Sequence, residues 1–281
     1  MRLKKRLLPF VENFLFLSMA IIFDGKKFAQ EQEKKLKARV KKLKIKPKLV
    51  VVLVGDDPAS QVFVRVKKEA AERVGIEFEL KKFAKSASEE EVTAYIERKN
   101  GETTVSGIMV QLPLPKNLDE LKIRRSIHPF KDVDCLHPKN LGMLMLNRPV
   151  FYPAAVKAVL TIIQNSKGKE VVIVGASNLV GKPLSLVLSN LGATVTLCRS
   201  TTQNLAKHTR AADILISATG KPGLIKKEMV KKGTVVIDVG ETKPDVEKDV
   251  SQIASFLTPV PGGVGPVTVV SLLENVVKFS S

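Results

Sequence analysis

The sequence predicts an α/β chain built as two doubly wound domains, and three observations predict it. Two apolar runs of strand length, Leu49–Val54 and Val171–Val174, are each followed at once by a glycine and then by a helical pattern. Continuously apolar strands belong to parallel sheets covered on both faces, whereas a half-exposed strand alternates. Similar short strands recur at intervals of roughly twenty residues, the spacing of repeated βαβ units. A chain of 281 residues with 44% hydrophobic content is long enough to bury two such cores.

In the first half, Lys34–Lys44 carries Leu36, Val40 and Leu43 at i, i+4 and i+7, which predicts an amphipathic helix with a lysine-rich solvent face. The strand ending at Val54 passes through Asp56–Ser60 into a helix that stops near Gly75. A strand near Glu77–Phe83, a helix from Ser88 and a strand over Val105–Val110 complete this half. The break falls at Arg148-Pro149, and Pro153–Gln164 reads as a connecting helix. In the second half, the strand Glu170–Val174 leads to a helix ending near Gly192. Strands near Thr194–Leu197, Ile214–Ala218 and Val235–Val239 follow. The apolar tail Val267–Phe279 reads as a last helix.

Composition narrows the classes. A net charge of +18 comes from 46 Lys and Arg against 28 Asp and Glu, but aromatics are only 5%. Nucleic-acid binding surfaces interleave aromatics or carry a motif, so a solvated basic face and no nucleic-acid partner are expected. Such charge also attracts polyanionic small molecules. Cys135 and Cys198 have neither CxxC nor metal-site spacing, and His128, His137 and His208 are scattered, so no disulfide framework and no metal are expected. Residues 1–18 are basic and then apolar, but Glu12 and Asn13 break the run, which is too short to span a bilayer. A cytoplasmic protein without membrane contact is expected.

Three loops carry the chemistry. Thr258–Thr268 holds three prolines and three glycines in eleven residues. Such a run makes a stiff loop whose bare backbone can lie against a flat ligand. Val110-Gln111-Leu112-Pro113-Leu114-Pro115 leaves a strand at its C-terminal end, where open α/β sheets bind ligands. His128–Asp134 sets two carboxylates beside Lys131.

In this order and spacing the loops resemble those of the bifunctional methylenetetrahydrofolate dehydrogenase/cyclohydrolase family, over about Ile22 to Val277. The resemblance implies a folate-binding catalytic domain over 19–149 plus 267–281, with the last helix returning to it. It implies a Rossmann-type NADP-binding domain over 150–266, and leaves residues 1–18 outside the family, with translation expected to start at Met19. A homodimer acting on tetrahydrofolate derivatives is implied as well. Phe63 and Lys67 stand where the family has Tyr-x-x-x-Lys. Lys67 is therefore expected to be the catalytic acid/base, Gln111 its tuning partner, and Asp134 the holder of the pterin ring. Phe63, Leu112, Pro261, Gly262 and Gly263 are expected to contact the folate as well.

Gly175-Ala176-Ser177-Asn178-Leu179-Val180-Gly181-Lys182-Pro183 departs from G-x-G-x-x-G but matches the phosphate loop of this family. Gly175, Ala176, Ser177, Val180 and Gly181 are thus expected at the dinucleotide, with Ser177 or Asn178 also capping the helix. The next strand ends in Arg199-Ser200 without an acid, which favours the 2′-phosphate of NADP over the bare ribose of NAD. Thr219, Gly220 and Glu241 end later strands and are expected on the nicotinamide side. Three departures fall near the expected site: Phe63 for tyrosine, Cys135 for the glycine of the DVDG segment, and Phe151–Val156 for P-C-T-P-x-G. They leave open a diverged relative with weakened hydrolysis, or one that binds folate or NADP without full turnover.

Overall fold

The computed structural model describes residues 19–279. The expected extension and start at Met19 therefore concern residues outside or at the edge of what is described. In order, the elements are β1 (Ile21–Ile22), α1 (Gly25–Val40), β2 (Lys48–Val54), α2 (Pro58–Val74), β3 (Glu77–Phe83), α3 (Glu89–Gly101) and β4 (Gly107–Val110). Then come α4 (Glu120–Ser126), α5 (Pro138–Met145), α6 (Ala154–Ile163), β5 (Glu170–Val174), α7 (Gly181–Asn190), β6 (Thr194–Cys198) and α8 (Leu205–Thr209). The chain closes with β7 (Ile214–Ser217), β8 (Val235–Asp238), β9 (Phe256–Leu257) and α9 (Val264–Lys278).

Two parallel sheets result, a three-stranded one in the order β3-β2-β4 and a six-stranded one in the order β1-β9-β8-β7-β5-β6. The apolar strand runs explain the layers, because successive side chains leave opposite faces. Leu49, Val51 and Leu53 enter the core under α1, α2 and α9, while Val50, Val52 and Val54 enter the core under α3 and α4. Val171 and Ile173 likewise separate from Val172 and Val174. In each sheet the strand order reverses, beside β2 and beside β5, and both reversals open at strand C-termini.

Several expectations shift. The lysine-rich helix begins well before Lys34 because the Asp24 side chain caps it, accepting from the Lys27 N–H at 2.9 Å. It ends at Val40, and Leu43 packs on the core from the turn that follows. Ile21–Ile22, placed by the expected boundary with the first domain, pairs with β9 in the second sheet. The last helix begins at Val264, not Val267, so Gly265 and Pro266 lie in its first turn. There the missing proline N–H costs nothing, since those N–H groups lack intrahelical partners anyway. This helix joins the two halves: Val264 and Val267 enter the second core, and Val270, Leu273 and Val276 the first.

Candidate active site

Both strand-end crevices open between the two sheets, and a cavity of about 400 Å³ lies there. Lys67, one turn beyond Phe63 on α2, donates from Nζ to Gln111 Oε1 at 2.8 Å. Gln111 follows β4 and is 7% exposed. Its backbone N–H bonds Val52 O at 2.8 Å and its Nε2 donates to Leu112 O at 2.7 Å, so the amide presents only its oxygen to the lysine. Asp134 lines the same cavity. Burial drives the Lys67 ammonium below the ordinary lysine range, and the negative charges of Asp134 and Glu241 oppose that drop. Burial drives Asp134 the other way, upward, with Lys67 as the main opposing charge. A lysine lowered in this way gives up its proton more readily than a solvated one, which suits an acid/base role.

The segment holding the two carboxylates divides its labour. Lys131 Nζ donates to the carbonyls of Lys99, Asn100 and Glu102, at 3.2, 2.8 and 2.6 Å, and so fastens the loop to the end of α3. Asp132, 2% exposed, accepts from His137 N and Asn140 Nδ2, both at 2.8 Å. Only Asp134 faces the cavity. Cys135 turns the chain there with φ 57°, a left-handed conformation that favours glycine, while its buried Sγ donates to Phe151 O at 3.4 Å.

The dinucleotide candidates gather in a second cavity of about 610 Å³, lined by Gly175, Ala176, Ser177, Arg199, Ser200 and Thr219. Two glycines make its floor. A Cβ on Gly175 would lie 2.2 Å from Ala218 O, and one on Gly181 would lie 1.7 Å from Gly175 O. This bare backbone at a helix N-terminus fits a pyrophosphate. The expected helix cap is corrected: α7 starts at Gly181 after Val180, and Ser177 Oγ accepts from Val180 N at 3.1 Å within the loop. Asn178 Oδ1 instead receives Lys182 Nζ at 2.8 Å. Arg199 and Ser200 are exposed at the rim, free to meet a phosphate. Gly220 and Glu241 line an adjoining cavity of about 380 Å³, which Val180 and Thr219 also border.

The folate candidates are split. Lys67, Gln111, Leu112 and Asp134 share the first cavity, whereas Phe63, Pro261, Gly262 and Gly263 line a neighbouring groove of about 380 Å³ between α1 and α2. Glu241 lines both. Beneath it, Asp238 accepts from Gly240 N at 2.8 Å and Val246 N at 3.0 Å, and Asp245 Oδ2 receives Ser217 Oγ, Thr219 N and Thr219 Oγ1, each at 2.8 Å. These two acids shape the loop carrying Glu241. Sequence reasoning passed over Glu120, Leu136 and Ala154, which also line the first cavity. For Ala154 a signal existed in the unusual Phe151–Val156 segment that carries it.

The catalytic-domain description of the tetrahydrofolate dehydrogenase/cyclohydrolase family matches residues 23–134, and its NAD(P)-binding-domain description matches residues 153–281. The chain is 45% identical over 274 residues to the bifunctional protein FolD of Exiguobacterium sibiricum, covering 92% of this chain and 99% of that protein. It is 43% identical over 274 residues to the same-named protein of Bacillus subtilis, with 92% and 97% covered. Among solved structures, the bifunctional dehydrogenase/cyclohydrolase of Campylobacter jejuni superposes with a TM-score of 0.91 at 40% identity, covering 93% of this chain and 98% of that one. The Trypanosoma brucei dehydrogenase-cyclohydrolase, solved with NADP cofactor and inhibitor, gives 0.90 at 35% identity, covering 93% and 97%.

Proposed function

The chain belongs to the tetrahydrofolate dehydrogenase/cyclohydrolase family, and from that premise we propose that it oxidises 5,10-methylenetetrahydrofolate with NADP and hydrolyses the methenyl product to 10-formyltetrahydrofolate. One observation carries the reading. The cavity holding the Lys67–Gln111 pair and Asp134 adjoins the cavity of Thr219 and Gly220 through Val180 and Glu241, so a folate and a nicotinamide can meet face to face.

The bound dinucleotide supplies the hydride acceptor. In the oxidation, the chain's own contribution is alignment: the glycine floor and Arg199 fix one reactant, and the pocket of Asp134 and Leu112 the other. The Asp134 carboxylate accepts from ring N–H groups of the pterin. Hydrolysis asks for proton traffic. Water adds to the bridge carbon, the C–N5 bond breaks, and Lys67 delivers a proton to N5 while Gln111 holds its ammonium in place. The domain division at about 149, with the last helix packed on the first half, belongs to the same reading. So does a cytoplasmic homodimer, which sedimentation at twice the 30.8 kDa chain mass would test.

Purified protein given methylenetetrahydrofolate and NADP should produce NADPH absorbance, followed by loss of the methenyl absorbance. A protein that binds both ligands and reduces no NADP would overturn the reading.

A further inference from the structure

Glu241 stands where three spaces meet: the cavity of Lys67 and Asp134, the cavity of Thr219 and Gly220, and the groove of Phe63 and the Pro261–Gly263 backbone. No hydrogen bond or salt bridge ties its exposed carboxylate to any described residue. Its charge reaches Lys67, because it is one of the two acids holding that ammonium's proton on. Resting on the function proposed above, we propose that Glu241 is the general base of the hydrolytic step, the acceptor of the proton that the attacking water gives up.

The chemistry separates this role from a part in oxidation. Hydride transfer moves one positive charge from the nicotinamide ring to the folate bridge, and a carboxylate lying between the two sees similar charge before and after. Water attack is different. As the C–O bond forms, one O–H bond must break, and its proton goes to the Glu241 carboxylate. The carbinolamine then collapses: the C–N5 electron pair leaves to N5, Lys67 protonates N5 and takes up the hydroxyl proton, and a C=O bond forms. Glu241 returns its proton to solvent, which accounts for the single proton that hydrolysis of the cation releases.

The other acids of the cavity are committed. Glu120 accepts from Arg124 at 2.7 Å, and Asp134 is the candidate pterin holder. Lys67 must remain charged to serve as the acid.

The test is Glu241→Gln, assayed separately for methenyltetrahydrofolate hydrolysis and for NADP reduction, with Glu241→Asp and Glu241→Ala beside it. Hydrolysis should fall by about 10²-fold or more, and at least tenfold further than oxidation does. Glu241→Asp should keep more hydrolysis than Glu241→Gln, and added formate should restore part of the rate to Glu241→Ala. Hydrolysis at or above the wild-type rate in Glu241→Gln would overturn the proposal, a faster rate marking Glu241 as a counter-ion to the cation. Equal losses in both reactions would also overturn it, leaving Glu241 a nicotinamide contact. Wild-type protein that performs neither reaction would instead refute the function itself.

Discussion

Replacing Lys67 with methionine removes one charge and one hydrogen bond while keeping most of the length of the side chain. The ammonium donates to Gln111 at 2.8 Å inside a cavity it shares with Asp134. Losing a positioned proton donor typically slows such a step about 10²–10⁴-fold, or roughly 3 to 5 kcal/mol of barrier. Stability should move little, because two effects oppose. Methionine spares the burial of a charge, but it leaves Gln111 Oε1, on a residue 7% exposed, without its donor, which costs about 1–3 kcal/mol. The pH dependence has a definite sign. With its native pKa lowered from 10.5, Lys67 binds its proton more readily in the unfolded chain, so its contribution turns against the fold as pH falls through that window. Lys67→Met should flatten this part of the stability curve. The assays are methenyl hydrolysis, NADP affinity and denaturant midpoints across pH. A folded variant that binds NADP and hydrolyses at the wild-type rate would refute the assignment of Lys67.

Three further outcomes are expected. Arg199→Ala should weaken NADP more than NAD, by roughly ten- to a hundredfold for the loss of a charge-assisted contact, measured by titrating each cofactor; equal weakening would show that Arg199 ignores the 2′-phosphate. Cys135→Gly relieves a left-handed backbone strain of about 1–2 kcal/mol but gives up a fully buried side chain and adds chain freedom of about 0.5–1 kcal/mol, so a net loss near 1 kcal/mol is expected by urea denaturation; a clear gain would show that strain dominates. Asp238, 1% exposed, is raised by burial from 3.8 to about 6. Its contribution is therefore present below pH 3.8 and is lost as pH rises through about 6, worth about 3 kcal/mol at roughly 1.4 kcal/mol per pH unit. Asp238→Asn should remove that slope between pH 4 and 6, and an unchanged slope would count against it.

The two layered sheets are written in the residue pattern. Leu49–Val54 and Val171–Val174 are apolar at every position, and only a strand covered on both faces accommodates that. Chemical type was legible too, because prolines, glycines and an acid-free strand end are local properties of the chain. What it missed was short or non-local. The strand Ile21–Ile22 has two residues and exists only because β9 offers an edge to pair with. The lysine-rich helix was placed late because the cap at Asp24 lies upstream of its charged run.

Which of three neighbouring polar side chains does what depends on packing. Lys131 and Asp132 bond their own loop while Asp134 faces the cavity, a division set by where α3 and α5 stand rather than by residue type. Packing also decided that Phe63 and the proline-glycine loop share a groove beside the Lys67 cavity, and that Glu241 borders both. The physical reason is reach. Local preferences act over a few residues, but Lys67 and Gln111 are 44 positions apart, and their separation in space depends on how β2, β4 and α2 pack.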